Sequence, residues 1–213
     1  MSKKAIAIAT VVISLVIDQV TKFWVKLTML SGDEFAYIGN WARIHFVENE
    51  GMAFGMSFGV GMGKFLLTFF RIIAVGFIAY YLSQQIKNKN ASKGFVFALA
   101  LILTGAMGNI VDSIFYGQIF SESTSTQIAT LFPAKGYESW FHGRVVDMFY
   151  FPIYRGTLPN WIPFIGGKYF EFFQFIFNVA DACITIGVAI ILIFQKQFFR
   201  EEKKTIEDNT EIA

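Results

Sequence analysis

Four long apolar stretches leave this chain very few folds. They run from about Ala5 to Met29, Lys64 to Leu82, Gly94 to Tyr116 and Phe172 to Phe194, and about 20 apolar residues are enough to cross a bilayer as a helix. Lipid leaves no water to satisfy backbone groups, and no alternating barrel pattern is present, so all four are read as helices. Composition agrees. With 54% hydrophobic and 16% charged residues, against about 25% charged in soluble domains, the chain is neither disordered nor an ordinary soluble enzyme. A net charge of +2 is too small for a nucleic-acid binder. One cysteine and two histidines leave no intrachain disulfide and little for a metal centre, so no metal or cofactor is expected.

Lys3 and Lys4 precede the first run as in a signal peptide, but no small-x-small cleavage site follows and the run exceeds an h-region, so it is read as a retained helix. Basic residues set the orientation. Lys3 and Lys4, then Lys87, Lys89 and Lys93, then Lys196, Arg200, Lys203 and Lys204 all fall on one side of a four-span arrangement. That side is expected to be cytoplasmic, with both termini and the tail of about 195–213. The loops of about 31–63 and 117–171 then face outward. Gly63-Lys64 invites a phosphate-loop reading that fails, because Phe58 stands where Gly is needed and Phe65 where Ser or Thr is needed.

Ionisable residues inside a span are expensive and read as functional by default. Here they are Asp18, Arg71, Asp112 and Asp181. Asp181 is placed about 15 Å down a helix starting near Glu171, with Asn178 on its face. Asn109 and Asp112 repeat the spacing on the third span after the small residues Gly105, Ala106 and Gly108, which allow close helix approach. Asp18 and Lys22 are four apart and can pair. The alternative for Asp18, Lys22 and Arg71 is a purely structural set of interhelical bonds, with Arg71 neutralising an acid. The segment 143–151, Gly-Arg-Val-Val-Asp-Met-Phe-Tyr-Phe, is β-prone and is read as extended against the membrane face. Its Asp147 lies among apolar neighbours and is the acid best placed to meet Asp181.

Two close carboxylates in a low-dielectric site cannot both ionise easily, so one keeps its proton near neutral pH. The charged one can deprotonate water while the protonated one holds a carbonyl oxygen, which is amide hydrolysis without metal or covalent intermediate. Cys183, a buried thiol without a base, is expected to be inert. No Ser-His-Asp set can be drawn, although His142 is near Asp147 in sequence, and no HExxH motif is present.

Five motifs in order now carry a resemblance. They are Asp18-Gln19-Val20-Thr21-Lys22, Asn49-Glu50-Gly51-Met52-Ala53-Phe54-Gly55, Gly108-Asn109-Ile110-Val111-Asp112, Gly143-Arg144-Val145-Val146-Asp147-Met148 and Phe177-Asn178-Val179-Ala180-Asp181. The chain resembles lipoprotein signal peptidase (signal peptidase II) over all four spans. The resemblance implies an all-α membrane protein, with four transmembrane helices, a small outer β-cradle and extended outer loops in one domain. It implies an intramembrane aspartic endopeptidase of the bacterial inner membrane that cleaves diacylglyceryl prolipoproteins before the lipid-bearing cysteine. Asp147 and Asp181 would be the dyad, and Asn49, Gly51, Phe54, Asn109, Asp112, Asn178, Asp18 and Lys22 would bind substrate or support the site. Met52–Phe58 would form a lid, the alternative being an interfacial anchor, and globomycin-type cyclic peptides would inhibit.

Two features depart from the family. Ser113 stands where Arg is usual, and 35 positions separate Asp112 from Asp147, with 34 more to Asp181. The inserts, about 118–141 and 152–170, are expected to enlarge the outer cap. A proton- or ion-coupled carrier is the competing class. It is disfavoured by short spans, the lack of an inverted repeat and the absence of acids leading to the cytoplasm. An extended cradle over the acids separates the two, favouring the peptidase.

Overall fold

The computed structural model describes residues 1–50 and 62–199. Gly51, Phe54, the rest of the expected lid and the tail beyond 199 lie outside the described residues. Among the described residues, three helices are long and apolar enough to cross a membrane. They are α1 (Lys3–Thr28), α2 (Met62–Lys87) and α3 (Lys93–Val111), the last continuing through a π-turn at Asp112–Tyr116 into a short α4 (Gly117–Ile119). Serines start two of them: Ser2 Oγ accepts from the Ala5 amide at 3.1 Å, and Ser92 Oγ from Phe95 at 3.1 Å.

The helices are inside-out relative to a soluble bundle. On α1 the outward side chains are Ile8, Val12, Ile13, Val16, Ile17 and Val20, while Asp18, Lys22 and Lys26 are buried. Such an arrangement is stable only where lipid meets the apolar face. α3 is the central helix and the most buried of the three.

A fourth apolar helix, α5, spans Val179–Ile193. The apolar run predicts a start near Phe172. Instead, Tyr169–Phe172 and Ile176–Phe177 are strands joined by an irregular turn at 173–175, and the helix begins where Asn178 caps it. The run of Phe and Ile fits a strand as well as a helix, and pairing partners decide for the strand. Asp181 therefore lies in the first turn of α5, not about 15 Å down it.

The small sheet that the resemblance implies is present. Strands β1 (Glu34–Ile38), β2 (Ala42–Asn49), β3 (Val145–Tyr150) and β6 (Ile176–Phe177) form an antiparallel sheet in the order β1-β2-β3-β6. β4 (Tyr154–Thr157) and β5 (Tyr169–Phe172) make a separate hairpin. The sheet rests on the helix ends through Val25, Met29, Phe46, Tyr116, Val146 and Met148. The insert of about 118–141 is irregular apart from one bridge, Phe120 to Leu131, and buries Phe120 in that same core. At the opposite end, Lys3 Nζ donates to the carbonyls of Asn88 (2.5 Å) and Lys89 (3.2 Å), and Phe198 packs on Phe95 with ring centres 5.5 Å apart.

α3 and α5 meet through glycine. A Cβ on Gly105 would lie 2.2 Å from the Ala180 carbonyl oxygen, and one on Gly187 2.7 Å from that of Ala98. Both obstacles are backbone and cannot rotate away. Gly105→Val is therefore expected to separate the helices and cost about 1–3 kcal/mol as an overpacked site, lowering the unfolding temperature in detergent. Thr104→Val, one residue away, is the control for a β-branched side chain at this depth.

Candidate active site

The end of the bundle beneath the sheet gathers the polar residues of four elements. Asn49 enters from the end of β2, opposite Val145 in register, and Asp147 from β3, opposite Val47. Asn109 comes from α3, and Asn178 and Asp181 from the start of α5. Asp147 is buried, with 5% of its surface exposed. Its Oδ2 accepts from Asn49 Nδ2 at 3.1 Å and its Oδ1 from Asn178 Nδ2 at 2.7 Å. Asp181 Oδ1 accepts from Asn109 Nδ2 at 2.8 Å, and its Oδ2 from the Asn178 backbone amide at 3.3 Å. Asn178 thus touches both carboxylates. It is also the N-cap of α5, its Oδ1 accepting from the Asp181 amide at 3.0 Å in a reciprocal capping box.

Burial pushes the Asp147 carboxyl up from 3.8 to about 7, and the charge of Asp181 adds to the shift, against the amides of Asn49 and Asn178. One of the two carboxyls therefore holds a proton near neutrality. A trough of about 360 Å³ lined by Phe173, Phe177, Asp181, Ala182, Thr185 and Ile186 opens beside the pair.

Beneath them lies a charge cluster with no exposed surface. Lys22 Nζ is 3.0 Å from Asp18 Oδ2 and 2.8 Å from Asp112 Oδ2, and it donates to Asn109 Oδ1 at 3.0 Å. Each acid also takes one backbone N–H. Asp18 Oδ1 accepts from Ala180, at 2.8 Å, and Asp112 Oδ2 from Val146, at 3.2 Å. Ala180 precedes Asp181 and Val146 precedes Asp147, so a single lysine ties together the backbone beneath both carboxylates.

Several participants are not singled out by sequence alone. Gln19 Nε2 donates to Asp18 (3.0 Å) and Asp112 (3.1 Å), and its Oε1 accepts from Tyr116 (3.1 Å). Lys26 is buried against Glu48 and Ser123. Arg144 binds Glu50 at 2.8 Å and Glu122 at 3.0 Å. Lys26 lies one turn past Lys22 and Gln19 beside Asp18, which was the available signal. On α2, Lys64, Thr68, Arg71, Val75 and Leu82 follow one helical face. Lys64 and Thr68 are buried, and Arg71 lies within electrostatic reach of Asp181 and Asp147. Ser113 is buried in the π-turn, its hydroxyl donating to the Asn109 carbonyl at 2.9 Å and its own carbonyl accepting from Gly143 at 2.9 Å. His142 bonds Ser139 and the Trp140 carbonyl, and Cys183 is buried.

A family model described as Signal peptidase (SPase) II matches residues 10–197. The chain belongs to the signal peptidase II family. A lipoprotein signal peptidase of Porphyromonas gingivalis is 48% identical over 206 residues, 95% of this chain and 89% of that protein. One from Amoebophilus asiaticus is 38% identical over 197 residues, 92% of this chain and 79% of the relative. Among solved structures, one described as a bacterial membrane enzyme superposes with a TM-score of 0.56 at 27% identity, covering 88% of this chain and 90% of the other. A second such structure gives 0.54 at 25% identity, covering 90% and 87%. Membership in the signal peptidase II family makes the chain an aspartic-type peptidase and hydrolase of lipoprotein processing, in a multi-pass bacterial membrane protein. The carrier reading is set aside.

Proposed function

We propose that this chain is an intramembrane aspartic endopeptidase, a single domain that removes the signal peptide from diacylglyceryl prolipoproteins just before the lipid-bearing cysteine. The observation that carries the reading is the contact of Asn178 with both Asp147 and Asp181, and the burial that pushes the Asp147 carboxyl up to about 7 supports it. The four apolar helices cross the inner membrane. The end holding Lys3, Asn88 and Phe198 faces the cytoplasm, as its lysines require, and the sheet and the acids face outward. Asn49, Asn109 and Asn178 orient the dyad, and Asp18, Lys22 and Asp112 support it. Gly51 and Phe54 belong to the lid, and globomycin-type peptides compete for the same trough.

In this mechanism protonated Asp147 donates a hydrogen bond to the scissile carbonyl oxygen, and Asp181 takes a proton from the attacking water. Water oxygen bonds to the carbonyl carbon, and the Asp147 proton passes to the carbonyl oxygen. Asp181 then delivers its proton to the cysteine nitrogen as the C–N bond breaks. Asp147 recovers a proton from the diol as the carboxyl forms. The products are the signal peptide acid and a free cysteine amine, and both aspartates return to their starting states.

Incubation of the protein with a lipid-modified prolipoprotein, followed by mass measurement, tests the reading. A new cysteine N-terminus is the expected product, and an intact substrate overturns it. Because the active form holds the Asp147 proton, turnover is expected to fall as pH rises through about 7. The Asn49 amide favours the charged carboxylate, so Asn49→Ala should move that alkaline limb to higher pH. An unmoved or acid-shifted limb would exclude Asp147 as the titrating acid. Stability carries the same sign. A carboxyl raised from 3.8 to about 7 contributes stability below the lower value, and that contribution is lost as pH rises toward the upper one.

A further inference from the structure

The insert of about 152–170 carries regular structure of its own. It makes the β4–β5 hairpin, with pairs Tyr154–Phe172, Arg155–Glu171, Gly156–Phe170 and Thr157–Tyr169. Antiparallel partners share a face, so the hairpin is two-sided. One face carries Arg155, bonded to Glu171 at 3.1 Å and to Glu34 of β1 at 2.8 Å. The other carries Tyr154, Phe170 and Phe172 in a row, with ring centres 6.5 and 6.4 Å apart.

The loop between the strands, 158–168, holds Trp161, Ile162, Phe164 and Ile165, one lysine and no acid. Trp161 is 80% exposed and Phe164 97%. Phe164 also adopts the left-handed backbone region, at φ 66°, a cost that a non-glycine residue bears only when its placement is held by other contacts. An aromatic surface of this extent is a contact surface. It runs on through Phe173 and Phe175 to Phe177 and Ile186, into the apolar outer surface of α5 at Val188, Leu192 and Ile193.

We propose that the β4–β5 hairpin is a membrane-seated wing, its loop and aromatic face inserted among the headgroups and upper acyl chains of the outer leaflet. The occupant is bilayer phospholipid. Continuity with the lipid-facing surface of α5 argues for it, as do the tryptophan and tyrosine that favour the interface and the lone Lys168, which suits anionic headgroups. The trough that ends at Asp181 shares Phe173 and Phe177 with this surface, so it opens toward lipid.

The proposal rests on α5 crossing the membrane and not on cleavage, so its test is separable from that of the peptidase reading. The full chain is reconstituted in phosphatidylcholine–phosphatidylglycerol vesicles, and the difference between its fluorescence and that of Trp161→Phe isolates Trp161. Lipids brominated high on their chains are expected to quench that difference signal at least twofold, deep-brominated lipids less, and aqueous iodide little. Trp161→Phe alters one exposed side chain and keeps the fold. Quenching by iodide without quenching by bromolipid would overturn the proposal. So would a Trp161 signal that changes with the protein-to-lipid ratio, which would assign the surface to a second copy of the chain.

Discussion

Asp147→Asn and Asp181→Asn are each expected to lower cleavage of a lipid-modified prolipoprotein by at least about 10²-fold, since each removes an acid–base role worth about 10²–10⁴. The double variant should be no worse than either single, because the two carboxyls act as one unit. The fold should survive. In Asp147→Asn the amide oxygen still accepts from Asn178, and the charge facing Asp181 disappears, so the unfolding temperature should hold or rise at pH 8. This opposition of activity and stability distinguishes a catalytic carboxyl from a structural one. Single-turnover cleavage and thermal unfolding in detergent measure both. A folded Asp181→Asn protein that cleaves at near-normal rate would remove the dyad from the mechanism.

What sequence makes legible here is governed by what lipid forbids. Charged residues in apolar spans have few explanations, so Asp18, Lys22, Asp112 and Asp181 stand out without a structure. The β-prone run around Asp147 is equally readable, and it forms β3. The start of α5 is not. Residues 169–177 are mostly aromatic and apolar, and only the pairing of 169–172 with β4 and of 176–177 with β3 makes those parts strands. The same limit hides the partners of Lys26 and Arg144. Glu48 lies on β2 and Glu50 just past its end, while Glu122 and Ser123 lie in the irregular insert, and sheet register and the insert bring them near. Nor does any periodicity reveal that Asp18 and Asp112 grip the amides of Ala180 and Val146, 162 and 34 positions away.

That grip makes Lys22 the residue whose loss should cost the most stability. Its ammonium lies between two carboxylates, and all three side chains have 0% exposure. Removing one member of a buried ionic group leaves the others uncompensated, at about 3–5 kcal/mol. In Lys22→Met, Asp18 and Asp112 would repel each other. Either could relieve the strain only by protonating or by releasing the Ala180 or Val146 amide, which moves Asp181 or Asp147. Lys22→Met should therefore lose both folded protein and activity. The triple change Asp18→Asn, Lys22→Met, Asp112→Asn removes every charge but keeps an amide oxygen for each backbone N–H. It should recover most of the lost unfolding temperature and more activity than Lys22→Met alone. Full stability and turnover in Lys22→Met would show that the lysine neither neutralises the cluster nor positions the dyad. Failure of the triple variant to recover stability would assign the loss to packing of the lysine stem rather than to charge.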